Sequence, residues 1–283
     1  MSLSASALHP APPPATGWQA AIHLGFTTRG EKTLLSERRR SGPLSVQRPF
    51  YPEGDPCHVY LLHPPGGVAG GDELQIDLEL EPNTHALVTT PGATKFYRSA
   101  GPFAHQSQTL KISGGTLEWL PQENILFPGA RLQMDSRIRL DGAARFIGWE
   151  VHCLGRPVIG ETFDTGQADF RLALYRNDKP LLIDRWQVGG QRDLQGAASL
   201  RNHPVVGTWL ASNADRTLLD EARAALPQAT QGEFGLTLLG ELLVARYLGD
   251  STEEARGLFQ QLWRTARPLL LGRDACPPRI WAT

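Results

Sequence analysis

Four acidic residues stand where their chemistry needs an explanation. Asp72 and Glu73 come directly after a loop with two prolines and four glycines, and Glu150 and Asp184 interrupt runs of apolar residues. A carboxylate among apolar neighbours costs several kcal/mol to bury unless it is paired or bound to a cation. At Glu150 and Asp184 the sequence therefore points to cation binding or to buried ion pairs.

Plain structural explanations compete at each position. A tight corner between strands with solvated carboxylates accounts for most loops of this composition. Lys179 and Arg185 are near enough to Asp184 in sequence to form ordinary salt bridges. His63, which precedes two prolines, is more often a hydrogen-bonded structural residue than a ligand. Other carboxylates and amides in strand-rich apolar surroundings are Glu118, Gln122, Glu123 and Glu161.

The glycine-rich loop matches no nucleotide-binding pattern. It reads LLHPPGGVAGGDELQID from Leu61, and after a further strand comes TTPGATKFYRS. A P-loop requires a glycine, lysine and hydroxyl triplet, which the sequence lacks, and a dinucleotide fingerprint requires glycines that open a helix. Here the glycines lead into an alternating strand from Leu74 to Glu81. The second loop brings Thr94 and Lys95 close to the acidic pair in sequence.

Motifs of other catalytic and metal-binding classes are missing from the sequence. There is no H-E-x-x-H or G-x-S-x-G, and the eight histidines do not pair at i, i+4. Cys57, Cys153 and Cys276 are far apart, which argues against a disulfide framework and a structural zinc site and fits a reducing cytoplasm. We therefore expect no enzymatic activity.

Charge and hydropathy argue against two classes of partner. The net charge is −1 and the pI is about 6.7, so the basic surface of a nucleic-acid-binding protein is not expected. The triplet Arg38-Arg39-Arg40 is expected on an exposed strand face. No apolar run approaches the roughly 20 residues that span a membrane. Residues 1–16 are predicted to be a disordered, proline-rich lead-in without the features of a signal peptide.

Most of the chain alternates with the two-residue period of strands. Apolar residues occupy every second position from Leu74 to Leu80, and similar alternation recurs from Leu132 to Leu140 and from Phe170 to Leu174. About fifteen such segments, spaced by roughly 8 to 12 residues, predict a sandwich, a barrel or a stacked-sheet solenoid. No fixed repeat chooses among them.

Two dipeptides predict hairpins between these strands. Asp141-Gly142 is expected to turn the chain into a strand over 143–151, and Asn177-Asp178 is expected to return it along 181–188. Glycine, asparagine and aspartate tolerate the positive φ angles that such turns need.

The last quarter of the chain changes to helical patterning. Asp215 is a predicted N-cap of a helix that ends at Pro227. Ser251 to Glu254 form a capping box for a second helix that ends near Gly272. Between them, four apolar residues continue the helical spacing: Leu236, Leu239, Leu243 and Tyr247.

We expect one domain over 17–283. It divides into a β-rich body over 17–212, a helical segment over 213–272 and a tail over 273–283. The apolar stripes of the helices are expected to pack on the sheets, because amphipathic helices usually face their own core.

Four long motifs resemble the UreD family of urease accessory proteins, also called UreH. They read LLHPPGGVAGGDELQID, TTPGATKFYRS, LEWLPQENILFPGA and CLGRPVIGETF. The resemblance extends from about Trp18 to the closing RIWAT. It implies an elongated, mainly β architecture of stacked sheets with β-helix-like character and two or three C-terminal α-helices.

The same resemblance implies a function. Members of the family join a UreF-type protein and a UreG-type GTPase, bind the urease apoprotein and help deliver nickel(II) to its active site, as scaffolds and not as catalysts. The positions that match a proposed internal polar path for the ion are Asp72, Glu73, Thr94, Glu150 and Asp184, with Lys95 beside Thr94. We therefore expect transient nickel(II), no tightly bound cofactor, a cytoplasmic location and two copies of the chain in the assembled complex.

Two other classes of function stay open from the residues alone. One is a metal-assisted hydrolase that uses Asp72 and Glu73 with His63. The other is a β-rich module that binds a carbohydrate or another protein without metal. Turnover by the purified chain would favour the first, and ligand binding without any response to nickel or urease would favour the second.

Overall fold

The computed structural model describes residues 17–227 and 231–282, and the predicted lead-in over 1–16 lies outside this part of the chain. Its strands are β1 (Gln19–Arg29), β2 (Lys32–Ser41), β3 (Ser45–Val46), β4 (Cys57–Leu62), β5 (Glu73–Leu80), β6 (His85–Thr89), β7 (Thr94–Phe96), β8 (Ala104–Ser113), β9 (Thr116–Leu120), β10 (Asn124–Leu126), β11 (Arg131–Asp141), β12 (Arg145–Leu154), β13 (Gln167–Arg176), β14 (Lys179–Gly189), β15 (Val205–Ser212), β16 (Glu233–Leu239) and β17 (Leu242–Gly249). Its helices are α1 (Gln191–Gln195), α2 (Arg216–Ala225) and α3 (Thr252–Leu271), and short 3-10 turns cover Pro157–Ile159 and Arg279–Ala282.

The chain passes back and forth between two sheets, so that strands from successive turns of the chain lie side by side in each sheet. The first sheet has seven strands in the order β14-β13-β11-β8-β5-β1-β2, and the ten-stranded second sheet runs β16-β17-β15-β12-β9-β6-β4-β3, with β10 beside β12 and β7 beside β10. Parallel pairing joins β1, β5, β8, β11 and β13 in the first sheet. It also joins β4, β6, β9 and β12 in the second. Parallel neighbours require a crossover, which here runs through the opposite sheet, so the predicted mainly β, stacked-sheet fold is confirmed.

The two-residue period places one face of each strand in the space between the sheets. The alternating apolar residues of β5 are all buried: Leu74, Ile76, Leu78 and Leu80. The apolar residues of the alternating runs in β11 and β13 are buried as well. Because β5, β8, β11 and β13 keep unbroken parallel registers, equivalent inward positions form rows across the first sheet. The core between the sheets therefore follows from the alternation.

One predicted hairpin is confirmed and the other is wrong. β13 and β14 pair antiparallel around Asn177-Asp178, whose φ angles are 46° and 60°. Asp141-Gly142 forms no hairpin, because β11 lies in the first sheet and β12 in the second. Gly142 does adopt a φ of 60°, so a turn is present, but it passes the chain from one sheet to the other.

The two predicted helices with capping residues are confirmed as α2 and α3. The Asp215 carboxylate accepts the N–H of Leu218 at 2.9 Å, and Ser251 Oγ accepts the N–H of Glu254 at 3.1 Å. Gly272, after the last turn of α3, has a left-handed φ of 66°, which glycine adopts without strain.

The helical prediction for residues between α2 and α3 is wrong. Four residues assigned to that helix lie in the antiparallel hairpin of β16 and β17: Leu236, Leu239, Leu243 and Tyr247. Half-buried side chains alternate along β16 with a period of two. Leu239 pairs with Leu242 across a two-residue turn at Gly240, whose φ is 59°. That short turn between two strands produced intervals of three and four residues, which resemble the spacing of a helix.

The helices pack on the outer face of the second sheet, as their apolar stripes predict. A second hydrophobic core contains Leu218, Leu219, Ala222, Phe259, Leu262, Trp263 and Ala266 from α2 and α3. β12 contributes the opposite side of this core through Ile147, Trp149, Val151 and Cys153. β12 is therefore covered on both faces, by helices on one side and by the first sheet on the other.

A buried charge cluster ties α3 to the second sheet. Arg267 is fully buried and places Nε 3.0 Å from Glu118 Oε2 and a terminal nitrogen 2.6 Å from Glu53 Oε1. His85 Nε2 lies 2.7 Å from Glu118 Oε1, and His58 Nε2 lies 2.6 Å from Glu53 Oε1. We call these five residues the Arg267 cluster. Each carboxylate in it has both a guanidinium and an imidazole partner, so the last long helix is held by paired charges.

Candidate functional site

Strand β12 carries two polar residues toward the first sheet. Its inward positions are Phe146, Gly148, Glu150, His152 and Leu154. Glu150 and His152 are neighbours on this face because alternate strand residues point the same way. Their side chains are only 12% and 4% exposed, so two ionisable groups lie between the sheets.

A row of polar side chains crosses the second sheet at His152. Asn124 of β10 lies opposite His152 of β12, and it also lies opposite Thr94 of β7. Directly paired residues project from the same face of a sheet. Asn124 Nδ2 is 3.4 Å from His152 Nδ1, which connects the two members of the row.

A second row crosses the same sheet at Glu150. Thr208 of β15 lies opposite Glu150, and Arg246 of β17 lies opposite Thr208. An Arg246 guanidinium nitrogen donates to Thr208 Oγ1 at 2.7 Å. This row runs from the middle of the protein to a partly exposed side chain, since Arg246 is 42% exposed.

The first sheet supplies polar residues that face these rows. Gln108 of β8 lies opposite Ser136 of β11, and Asp184 of β14 lies opposite Leu172 of β13 in the same register. Gln106 is one inward position before Gln108 and is also buried. We call the facing set the interior polar band; its members are Thr94, Gln106, Gln108, Asn124, Ser136, Glu150, His152, Asp184, Thr208 and Arg246.

Glu150 lies at the centre of the interior polar band. Its Oε1 accepts hydrogen bonds from Ser136 Oγ and from Gln108 Nε2, the latter at 3.3 Å. Gln108 Nε2 also donates to Ser136 Oγ at 2.8 Å. Its Oε2 is 3.5 Å from His152 Nε2, which is longer than an ordinary N–H···O hydrogen bond. The Glu150 carboxylate thus has neutral hydrogen-bond donors and a loosely placed imidazole around it.

Asp184 marks the end of the band at the protein surface. Its Oδ2 lies 2.7 Å from an Arg246 guanidinium nitrogen. Arg185, which the sequence offered as a partner, instead pairs with Asp169 at 2.7 Å, because adjacent strand residues point to opposite faces. Asp184 is therefore an ion-paired residue that is 28% exposed.

Three cavities adjoin the interior polar band. The glycine-loop cavity, of about 190 Å³, is lined by His63 and Gln108. The central cavity, of about 10 Å³, is lined by Gln108 and Glu150, and has room for about one water molecule. The Asp184 cleft, of about 670 Å³, is lined by Asp184 and Arg246. The band thus lies between two larger cavities, and Gln108 lines both the first cavity and the central one.

Comparisons with known proteins agree with the resemblance seen in the motifs. The family model described as UreD urease accessory protein matches residues 19–282. The chain belongs to the UreD family. It is 51% identical over 273 residues to the urease accessory protein UreD of Alcanivorax borkumensis, covering 94% of this chain and 93% of the relative. The UreD of Pseudomonas putida strain W619 is 50% identical, with 94% and 95% covered, and that of Escherichia coli is 45% identical, with 95% and 98% covered.

Of the five positions matched to the UreD-family path, three lie in the interior polar band, and Asp72 and Glu73 lie outside it, as does Lys95 beside Thr94. Thr94, Glu150 and Asp184 are members of the band. Asp72 closes the glycine-rich loop, because Oδ1 accepts the Trp18 N–H at 2.8 Å and Oδ2 accepts the Ala69 N–H at 2.7 Å. Glu73 and Lys95 are exposed. The structure therefore gives Asp72 a clear role in loop geometry, and a role in the path stays a prediction for all six residues.

His63 connects the glycine-rich loop to the band. It lines the glycine-loop cavity together with Thr94 and Gln108. Burial lowers the pKa of His63, and the nearby charge of Asp72 acts in the opposite direction. Asp72 thus influences the cavity electrostatically even though both of its oxygens accept backbone hydrogen bonds.

The structure contains no preformed metal cluster in residues 17–227 and 231–282, where no three His, Cys, Asp or Glu side chains come together as ligands. Over the same described ranges, none of the helices combines the length and apolar character needed to cross a bilayer.

Sequence reasoning missed most of the neutral members of the band, as well as His152 and Arg246. Those not predicted are Gln106, Gln108, Asn124, Ser136, His152, Thr208 and Arg246. One signal was available: Glu150 and His152 interrupt the inward face of β12 at consecutive alternate positions. The others required the pairing of distant strands, which alternation within one strand does not reveal.

Proposed function

We propose that this UreD-family chain is a maturation scaffold that binds the urease apoprotein with UreF-type and UreG-type partners. In this proposal it works in the cytoplasm without catalytic turnover, two copies take part in the assembled accessory complex, and nickel(II) reaches urease through the interior polar band. The observation that carries the proposal is the position of Glu150, buried among polar side chains between the glycine-loop cavity and the Asp184 cleft.

The free-energy cost of burying the polar side chains of the band supports a functional role for them. Sheets that face each other usually pack apolar side chains, and a buried carboxylate with neutral partners is expensive. Glu150 is 12% exposed, and its Oε1 is hydrogen-bonded by Ser136 and Gln108. A passing dication would compensate this charge, since each carboxylate offsets part of the hydration that the cation loses.

The ligand chemistry of the band suits nickel in transit. Ni²⁺ accepts oxygen and imidazole ligands. A conduit must hold an ion weakly at several places, because a strong closed site would not release it. The hydroxyl of Ser136, the amide of Gln108 and the carboxylate of Glu150 offer spaced oxygens of this kind.

The small volume of the central cavity limits how many bound waters a nickel ion could keep while passing through it. About 10 Å³ holds about one water and not a fully hydrated ion. Nickel would therefore exchange its waters stepwise for Glu150 and neighbouring oxygens, and Gln108 would have to move. Arg246 is a positive charge at the Asp184 cleft, so its ion pair with Asp184 would open as the cation passes.

No structural observation favours the metal-assisted hydrolase. Its acidic pair was Asp72 and Glu73, but both oxygens of Asp72 accept backbone N–H groups. A carboxylate engaged in this way is a poor general base. The accessory role is consistent with the family to which the chain belongs.

Reconstituted activation tests the proposal. Urease apoprotein, UreF-type and UreG-type partners and nickel are combined with the wild-type chain or with Glu150→Gln, and assembly, bound nickel and urease activity are measured. We expect Glu150→Gln to assemble normally but to lower nickel transfer by about tenfold, the scale seen when a group supporting a metal site is lost.

Asp135→Asn is the matched control. Asp135 precedes Ser136 in β11 but points to the outer face of the first sheet and is 54% exposed. We expect it to activate urease like the wild type. Normal activation by Glu150→Gln would overturn the route through the band, and failure of the wild type to bind any partner would overturn the scaffold role.

A further inference from the structure

His152 is a buried imidazole in the interior polar band, at a position that the sequence analysis did not single out. Only 4% of its side chain is exposed. Its ring centroid lies 4.2 Å from that of Phe170 and 5.8 Å from that of Trp186. Two aromatic neighbours restrict the ring, so its nitrogen atoms keep defined directions.

The two ring nitrogens of His152 face different polar groups. Nε2 is 3.5 Å from Glu150 Oε2, and Nδ1 is 3.4 Å from Asn124 Nδ2. An amide can present either its NH₂ group or, after a flip, its oxygen to Nδ1. With the oxygen toward Nδ1–H, the Nε2 lone pair is left facing Glu150. A second hydrogen-bond partner that orients a histidine in this way is a common feature of metal sites.

We propose that Glu150 Oε2 and His152 Nε2 form a transient binding station for Ni²⁺ inside the interior polar band. This inference rests on the proposed function of the band as a nickel route. Two donors on adjacent positions of an octahedral ion, each about 2.1 Å from the metal, lie about 3 Å apart. The observed 3.5 Å therefore needs to close by only about half an ångström, and water and Ser136 Oγ can complete the ligand shell.

The station would give the route a preference among divalent ions. Mg²⁺ and Ca²⁺ prefer oxygen ligands, whereas imidazole suits nickel and other transition metals. A band lined only by oxygens would hold Mg²⁺ and Ni²⁺ on similar terms. One imidazole beside Glu150 favours nickel while two protein ligands remain few enough for release.

The test uses the purified full-length chain, alone and with its UreF-type partner, loaded with less than one equivalent of Ni²⁺. X-ray absorption at the nickel edge reports imidazole ligands, and calorimetry reports affinity for Ni²⁺ and Mg²⁺. We expect His152→Gln to remove an imidazole from the nickel spectrum and to weaken Ni²⁺ binding about tenfold, with little change for Mg²⁺.

His203→Gln is the matched control. His203 Nδ1 lies 2.9 Å from Asp250 Oδ1, so this is another imidazole and carboxylate pair, but it lies outside the band. We expect this variant to bind nickel like the wild type. A nickel spectrum that is the same in His152→Gln and in the wild type would overturn the station.

Two further measurements separate the station from the route itself. If His152→Gln binds and transfers nickel normally while Glu150→Gln fails to transfer it, the route stands and the station is wrong. If neither variant changes transfer, both proposals fail. Should His152→Gln lose its fold in thermal unfolding, nickel-edge anomalous scattering from soaked wild-type crystals decides: a peak within ligand distance of Glu150 and His152 supports the station, and its absence there overturns it.

Discussion

The two faces of the second sheet carry buried polar groups that are bonded very differently. On the helix side, the Arg267 cluster joins opposite charges at 2.6 to 3.0 Å. On the inner side, Glu150 has neutral donors and an imidazole at 3.5 Å, with a small cavity beside it. A network of closely paired charges fixes one arrangement, whereas a loosely paired one leaves room for an additional charge. The difference fits a structural role for the first region and is consistent with the transport role that we propose for the second.

The pKa values in the Arg267 cluster agree with a closed network. Burial acts to raise the pKa of Glu118, but the hydrogen bond and charge of His85 and the charge of Arg267 outweigh burial and lower it. Burial likewise opposes ionisation of Glu53, yet hydrogen bonds with His58 and Arg267 bring its pKa down to about 2. Both carboxylates are therefore ionised near neutral pH.

Replacement of Arg267, the cation at the centre of the Arg267 cluster, is expected to have the largest effect on stability. Arg267→Met would leave Glu118 and Glu53 buried without their guanidinium partner, which costs about 3 to 5 kcal/mol of unfolding free energy. Denaturant unfolding followed by circular dichroism measures the loss. Arg264→Met, an exposed position on the same helix, is the control and should change stability by less than about 0.5 kcal/mol. Equal stability of the two variants would contradict a structural role for the cluster.

Low pH, which weakens the same cluster, is expected to have the second-largest effect on stability. The pKa of Glu53 is lower in the folded chain, about 2, than its ordinary value of 4.5. Its stabilising contribution is therefore complete above about pH 4.5 and is lost as the pH falls toward 2. Between about pH 5 and about pH 3, the unfolding free energy should fall by more for the wild type than for Glu53→Gln. Parallel curves for the two proteins would show that this carboxylate does not contribute.

Neutralisation of the band should have a small effect on stability. Glu150→Gln keeps an oxygen to accept from Ser136 and removes a charge that no guanidinium balances, so we expect a change of less than about 1 kcal/mol. Thermal unfolding of the variant measures this directly. A loss as large as that expected for Arg267→Met would mean that the band is structural, and the contrast between the two faces would disappear.

The ion pair at the Asp184 cleft should matter least for folding. Asp184 and Arg246 are 28% and 42% exposed, and surface ion pairs contribute about 0 to 1 kcal/mol. Asp184→Asn should therefore unfold within about 0.5 kcal/mol of the wild type, while nickel transfer by the reconstituted complex falls. Unchanged nickel transfer would remove Asp184 from the proposed route without affecting Glu150.

Local features of the fold were predictable from the residues. The period-two runs of β5, β11 and β13 placed their apolar side chains correctly, and Asp215 and Ser251 cap the helices that they were expected to cap. These signals act over a few residues, through the direction of alternate side chains and through hydrogen bonds to the first turn of a helix. Errors arose where two nearby strands had to be assigned partners, as after Asp141-Gly142 and between Leu236 and Tyr247.

The candidate site depended on contacts between distant parts of the chain. Apolar surroundings drew attention to Glu150 and Asp184, but Gln108 lies 42 residues from Glu150 and Thr208 meets it through antiparallel pairing. Asp72, prominent in the sequence, proved to hold its own loop. Alternation states which residues share a face of one strand. Which faces meet is set by strand pairing and sheet packing, because these bury side chains from separate turns of the chain against one another.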